Sequence, residues 1–170
     1  KNKKIYVIVN DLGYGMWDKI RKDYPDRFIN VGAAEQTLIG VGVGLALSGK
    51  IPIVYSITTF LLYRPFETIR NYIHYEKIPV KPIGSGRGKD YIHDGISHWV
   101  EEDKDIMKIL KNIKTYWPKD SKEISKLVDK MINDEKPYYI NLKRWKIKER
   151  KYLPLSPATK TLKQFQLCIN

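Results

Sequence analysis

A three-layer α/β sandwich around a mainly parallel sheet of about six strands is the fold this sequence predicts. Three observations carry it. Short apolar runs alternate with longer segments of helical periodicity, the signature of βαβ units. The first run, Ile5 to Val9, is apolar throughout rather than alternating, as a strand covered on both faces requires. The 170 residues suit one domain with a full core, without metal or disulfide staples.

Ile5 to Val9 opens the series and stops at Asn10-Asp11. Phe28 to Val31 follows the Pro25-Asp26 turn, and Ile51 to Tyr55 follows Ser48-Gly49. Val80 to Ile83 lies among prolines and glycines, Ile113 to Trp117 closes at Pro118, and Tyr138 to Leu142 is the last run. Between them, Ala34 to Leu47 is small and apolar on most faces and predicts a buried helix. Leu61 to Tyr75 spaces Phe66, Ile69 and Ile73 as a helix, and Glu101 to Leu110 gathers Ile106, Ile109 and Leu110 on one side. Ser121 to Asn133 carries a stripe of Ile124, Leu127, Val128 and Met131, with Ser121 as its expected N-cap. After Leu142 the alternation ends. A domain over residues 1–144 and a basic C-terminal tail over 145–170 are expected.

Composition excludes several classes. The single cysteine, Cys168, forms no internal disulfide, which suits a reducing, cytoplasmic setting. No stretch reaches the roughly 18 apolar residues of a membrane span. The net charge of +12 is uneven, with eight basic residues and one acid in residues 143–170. No nucleic-acid motif accompanies that charge, so it reads as a surface for an acidic partner or a phosphorylated ligand.

The segment Gly84 to Ser97 has four glycines, no period and several chemically capable side chains. It follows a strand and precedes a helix, where open α/β sheets bind ligands. Gly84-Ser85-Gly86-Arg87-Gly88-Lys89 lacks the spacing and the Ser/Thr of a P-loop. Gly40, Gly42 and Gly44 lie inside a helix, where close packing explains them better than a dinucleotide does. His93, Asp94, His98, Glu101 and Glu102 lack metal-ligand spacing, so no metal site is expected in this chain. Glu35 stands at the start of the glycine- and alanine-rich helix. Its simplest role there is to complement the helix dipole. Its apolar flanks also suit a carboxyl that shares a proton with a ligand nitrogen. Phe60, Tyr63 and Phe66, at i, i+3 and i+6, suit either core packing or a platform for a flat ring.

Val31-Gly32-Ala33-Ala34-Glu35-Gln36, Gly44-Leu45-Ala46 to Gly49, Thr59-Phe60, Arg70, and Asp94-Gly95-Ile96-Ser97-His98 with Glu101 occur in that order. In these motifs the chain resembles the pyrimidine-binding domain of transketolases, from about Val7 to Arg144. The resemblance implies the thiamine-diphosphate-binding fold. It also implies a transferase moving a two-carbon ketol unit from a ketose donor to an aldose acceptor. In that family the glutamate matching Glu35 hydrogen-bonds the aminopyrimidine of thiamine diphosphate and promotes the imino tautomer that removes the thiazolium proton. Phe60 matches the aromatic packed on the pyrimidine, with Tyr63 and Phe66 at neighbouring positions. Asp11 and Leu12 match an Asp-Leu pair near the cofactor. Asp94 and His98 match residues that contact sugar hydroxyls and assist proton transfer, and Arg144 a basic phosphate contact.

Departures from the family pattern shape the expectation. Family members acting on sugar phosphates carry a serine and a histidine where this chain has Gly15 and Gly86, so the donor need not be a simple sugar phosphate. The Gly-Asp-Gly…Asn motif that holds the cofactor's diphosphate through Mg²⁺ does not occur. The expectation is therefore the pyrimidine-binding subunit of a split transketolase. It would form a dimer with itself and a heterotetramer with an N-terminal, diphosphate-binding subunit that holds Mg²⁺. Two alternatives stand beside it: the β subunit of a 2-oxo acid dehydrogenase and a non-catalytic basic binding domain. The Gly84–Ser97 loop is expected to stay mobile until partner and substrate order it.

Overall fold

The computed structural model describes residues 2–144. The tail expected over residues 145–170 lies outside the described residues. Six strands form one sheet, β1 (Ile5–Val9), β2 (Phe28–Asn30), β3 (Ile51–Ile57), β4 (Lys81–Ser85), β5 (Lys114–Tyr116) and β6 (Tyr138–Leu142). Their order is β2-β1-β3-β4-β6-β5, and every pairing is parallel. The long helices are α2 (Glu35–Leu47) and α6 (Ser121–Ile132), with shorter α1 (Asp18–Asp23), α3 (Thr58–Tyr63), α4 (Phe66–Thr68) and α5 (Asp103–Ile109).

Two cores sandwich the sheet. On one face Ile5, Val7, Val9, Ile53, Tyr55 and Ile83 meet α6 and the buried Trp17. On the other, Ile8, Val54, Val80 and Tyr139 meet Leu38, Ile39 and Val43 of α2. Residues of alternate parity on β1 and β3 thus serve opposite cores, which is why their sequence is apolar without alternation.

Several expectations are corrected. The helix expected over Leu61 to Tyr75 starts at Thr58 and breaks at Pro65, which lacks an amide hydrogen and clashes with the carbonyl four residues back. It resumes as α4 and continues as π-helix over Ile69–Tyr75, burying Ile69 and Ile73 as expected. Ser121 is the first helical residue of α6, and Asp120 is the N-cap: its Oδ1 accepts from the amides of Lys122 and Glu123, each at 2.9 Å. Ile109 is 68% exposed, and Met107 takes the buried place instead. Helix α2 is buried on one side only. A Cβ on Gly42 would lie 2.9 Å from Val54, whereas Gly40 and Gly44 face open space. Close packing therefore accounts for one of the three glycines. Helix α1 falls in a segment whose sequence shows no helical stripe.

The chain runs outward from β1 to β2 and returns to β3 on the other side of β1. The loops leaving β1 and β3 diverge there, and a crevice opens at the carboxyl ends of the strands.

Candidate active site

Glu35 is the first residue of α2 and is only 5% exposed. Its Oε1 accepts from Asn10 Nδ2 at 2.9 Å and from Arg64 Nη1 at 2.6 Å. Asn10 follows the last residue of β1, and Arg64 follows the last residue of α3, so the crossover from β2 brings the carboxylate between the diverging segments. The sequence suggested an apolar surround for this carboxylate. The structure instead supplies an amide and a guanidinium, because residues 25 and 29 positions away meet at the sheet end.

The Arg64 guanidinium lies 3.9 Å from the centre of the Phe60 ring. Phe60 in turn meets the His98 ring edge to face at 4.8 Å. His98 Nδ1 is 2.9 Å from Ser97 Oγ, and its ring lies 5.8 Å from that of Tyr91. The far face of the series is Arg144, whose guanidinium sits 4.5 Å from the Tyr91 ring centre. Glu35, Phe60, His98 and Arg144 are thus joined through Arg64 and Tyr91 into one continuous series of contacts.

The remaining expected residues are less central. Tyr63 is 37% exposed and bonds Glu102; burial and that carboxylate push its phenol well up. Phe66 packs against the α2-side core. Asp94 is exposed in the loop carrying His98. Asp11 and Leu12 are not brought together with Glu35. Asp11 adopts φ +58°, its carboxylate accepts from Tyr14 at 2.8 Å and Asn30 at 3.3 Å, and these two contacts hold its carboxyl below the usual range. With Leu12 it lines a cleft beside Trp17 and Phe28, to which neither Glu35 nor Phe60 contributes. A positive φ at Asp11 turns the chain away immediately after Asn10.

The 84–97 segment makes contacts at several points with its surroundings. Thr58 Oγ1 donates toward the carbonyls of Ser85 and Gly86, at 3.0 and 2.9 Å, and Thr59 Oγ1 donates to Ser97 O at 2.8 Å. Gly88 pairs with Val100 as an antiparallel bridge. Arg87 donates to Asn141 and to Pro118 O. Below the loop, Asp103 Oδ2 accepts from Trp117 Nε1 at 2.6 Å, Asn141 Nδ2 at 2.8 Å and Tyr139 OH at 3.1 Å. Gly86 has φ +93°, and a Cβ there would lie 2.5 Å from the Tyr91 ring. Tyr91 fills the space a side chain at position 86 would need, and its hydroxyl is 2.9 Å from Ser85 Oγ.

Sequence reasoning missed Asn10, Arg64 and Tyr91. For Arg64 a signal exists, since it lies one helical turn beyond Phe60. Asn10 and Tyr91 carry no local signal of their partners. The donor set fits a flat aromatic ring bearing nitrogen. Phe60 offers aromatic contact and Glu35 a buried carboxylate. Asn10 Oδ1 is a buried acceptor without a hydrogen-bond partner among the described residues. Among those residues no group of three or more His, Cys, Asp or Glu is placed to hold a metal ion. No described helix is long and apolar enough to cross a membrane.

Over residues 1–149 the sequence matches the family described as the transketolase pyrimidine binding domain, and the chain belongs to that family. It is 35% identical over 145 residues to a protein of Methanocaldococcus jannaschii with the provisional name transketolase C-terminal section, covering 85% of this chain and 46% of that one. It is 35% identical over 121 residues to one subunit of the apulose-4-phosphate transketolase of Actinobacillus succinogenes, covering 71% of this chain and 39% of that one. A solved structure described as a split gene transketolase, inactive beta4 tetramer, superposes with a TM-score of 0.74 at 37% identity, over 87% of this chain and 47% of that chain. A transketolase variant from Pichia stipitis shares the fold, with a TM-score of 0.66 at 16% identity, over 81% of this chain and 22% of that one. The chain spans less than half the length of each of these relatives.

Proposed function

We propose that this chain is the pyrimidine-binding subunit of a split, thiamine-diphosphate-dependent transketolase, working with a separate subunit that holds the cofactor's diphosphate and Mg²⁺. The observation that carries the reading is Glu35, a carboxylate buried at the start of α2 and linked through Arg64 to the Phe60 ring. The names of its relatives, one a single subunit of a transketolase and another a split gene transketolase, support the division of the enzyme between chains.

Thiamine diphosphate, when bound, supplies the electron sink that lets a carbon–carbon bond beside a ketone break. Glu35 presents its carboxylate to a pyrimidine nitrogen and holds the proton shared with it. Asn10 fixes the carboxylate through an amide bond to Oε1. Phe60 packs on the ring, with Tyr63 and Phe66 as neighbouring positions and Asp11 and Leu12 as further cofactor contacts once the partner subunit is in place. His98, held by Ser97 and Phe60, moves a proton at a sugar hydroxyl. Asp94 binds a further hydroxyl, and Arg144 binds an anionic end of the sugar. Gly15 and Gly86 stand where relatives acting on sugar phosphates carry a serine and a histidine, so the donor need not be a simple sugar phosphate. Two copies of this chain and two of the partner complete the assembly, in the cytoplasm.

The test is reconstitution of the full chain with the diphosphate-binding subunit, with thiamine diphosphate, Mg²⁺ and a panel of ketose donors. Ketol transfer that falls by orders of magnitude in Glu35→Gln, a nearly isosteric change, supports the reading. Wild-type turnover by that variant refutes the role of Glu35. Oxidative decarboxylation of a 2-oxo acid in place of ketol transfer makes the chain a dehydrogenase β subunit instead. Tight binding of the cofactor and turnover by the single chain overturn the split.

A further inference from the structure

The contacts that Phe60 and Glu35 offer a ring are already taken by a side chain of the same protein. Arg64 lays its guanidinium 3.9 Å from the Phe60 ring centre and donates from Nη1 to Glu35 Oε1 at 2.6 Å. These are the two contacts an aminopyrimidine would make, a flat surface against an aromatic ring and an N–H to a carboxylate. A guanidinium is planar, delocalised and rich in donors, so it imitates such a ring more closely than an ammonium does. Its side chain is 51% exposed while that of Glu35 is 6% exposed, so Arg64 reaches in from the rim. It stands at the end of α3, next to Pro65, and can return to water without disturbing either core.

We propose that Arg64 is a resident competitor for the pyrimidine pocket: seated on Phe60 and Glu35 in the free protein, and displaced when an aromatic ring enters. This rests on the pyrimidine-pocket reading above. The consequence is a threshold on affinity. Every entering ring gives up the same Arg64 contacts, so each binds more weakly by a common factor. A ring that also satisfies Glu35 overcomes the loss. One that only stacks on Phe60 leaves the buried carboxylate with the Asn10 amide alone and its charge uncompensated, and stays out at ordinary concentrations.

The experiment titrates the full chain by ligand-observed NMR with two probes. One is the aminopyrimidine alcohol that forms half of thiamine, and the other is its benzene isostere without ring nitrogens. Arg64→Ala should tighten both by the same factor, roughly five- to thirtyfold, as loss of one cation–π contact and one half-exposed ion pair implies. In wild-type protein labelled with ¹⁵N-arginine, the Arg64 Nε–H signal should start shifted by the Phe60 ring current. It should then move to the position of a solvated arginine as the aminopyrimidine saturates. Unchanged or weaker binding by Arg64→Ala overturns the proposal, and so does a ring-current shift that persists at saturation. Phe60→Ala and Glu35→Gln separate the two levels. If they weaken the aminopyrimidine while Arg64→Ala fails to tighten it, only the competitor role falls. If neither weakens it, the ring binds elsewhere and both readings fall.

Discussion

Removing the carboxylate of Asp103 should destabilise the fold more than any other single change at the loop carrying His98. Asp103 is 5% exposed, and one of its oxygens accepts from Trp117, Asn141 and Tyr139 at 2.6, 2.8 and 3.1 Å. Asp103→Ala strands three donors, two of them on residues that are 1% exposed or less. A stranded buried donor costs about 1–3 kcal/mol. Thr58 Oγ1 lies 3.4 Å from Asn141 Nδ2 and can retain one bond, which leaves two donors unpaired. The expected loss is about 2–5 kcal/mol, or a fall in Tm of roughly 4–20 °C at about 2–4 °C per kcal/mol. Asp103→Asn keeps an acceptor but turns three charge-assisted bonds into neutral ones and adds competing donors, so about 1–2 kcal/mol is expected. Urea denaturation of the full chain, followed by far-UV circular dichroism, measures both, with a lower midpoint at unchanged slope. A loss below about 0.5 kcal/mol in Asp103→Ala would show that the network contributes no net stability and that the loop is held by its backbone bonds alone.

Phe60→Ala should weaken cofactor retention in the reconstituted assembly by about 1–3 kcal/mol through lost ring packing, read as the thiamine diphosphate concentration for half-maximal activity. Gly86→Ala should lower stability by about 1–3 kcal/mol, because its Cβ would meet Tyr91 at 2.5 Å and its φ of +93° disfavours a side chain; a melt within error of wild type contradicts this. Two groups set opposite pH limits. Bonding from the Lys114 ammonium holds the Asp134 carboxyl down at about 2 against an ordinary 3.8, so this contribution to stability is present above 3.8 and is lost as pH falls toward 2. Burial pulls the Lys81 ammonium down to about 8 from 10.5, so the folded state binds this proton less well than the unfolded one, and stability should rise from pH 8 toward 10.5. Urea midpoints across pH in Lys114→Ala and Lys81→Met should lose the first and second of these slopes in turn.

What the sequence determined by itself was whatever depends on local pattern. The unbroken apolar run Ile5 to Val9 suits a strand covered on both faces and was legible to the residue, as was Tyr138 to Leu142, apolar but for Asn141. The stripe of Ile124, Leu127, Val128 and Met131 could be satisfied only by a helix on a core, and all four are buried. Glu35 was legible because a carboxylate among glycine, alanine and leucine is costly without a purpose. Tertiary structure decided everything that depends on which distant residues meet. The amide and guanidinium on Glu35 come from Asn10 and Arg64, 25 and 29 residues away, and Asp103 takes its donors from β6 and from beyond β5. The left-handed turn at Asp11, which carries Leu12 away from Glu35, leaves no mark in a motif. Nor does the Tyr91 ring that makes Gly86 obligatory. Periodicity reports the face a residue turns to the core, whereas a site is made where the parallel crossovers bring strand ends together, and that meeting is a property of the folded sheet.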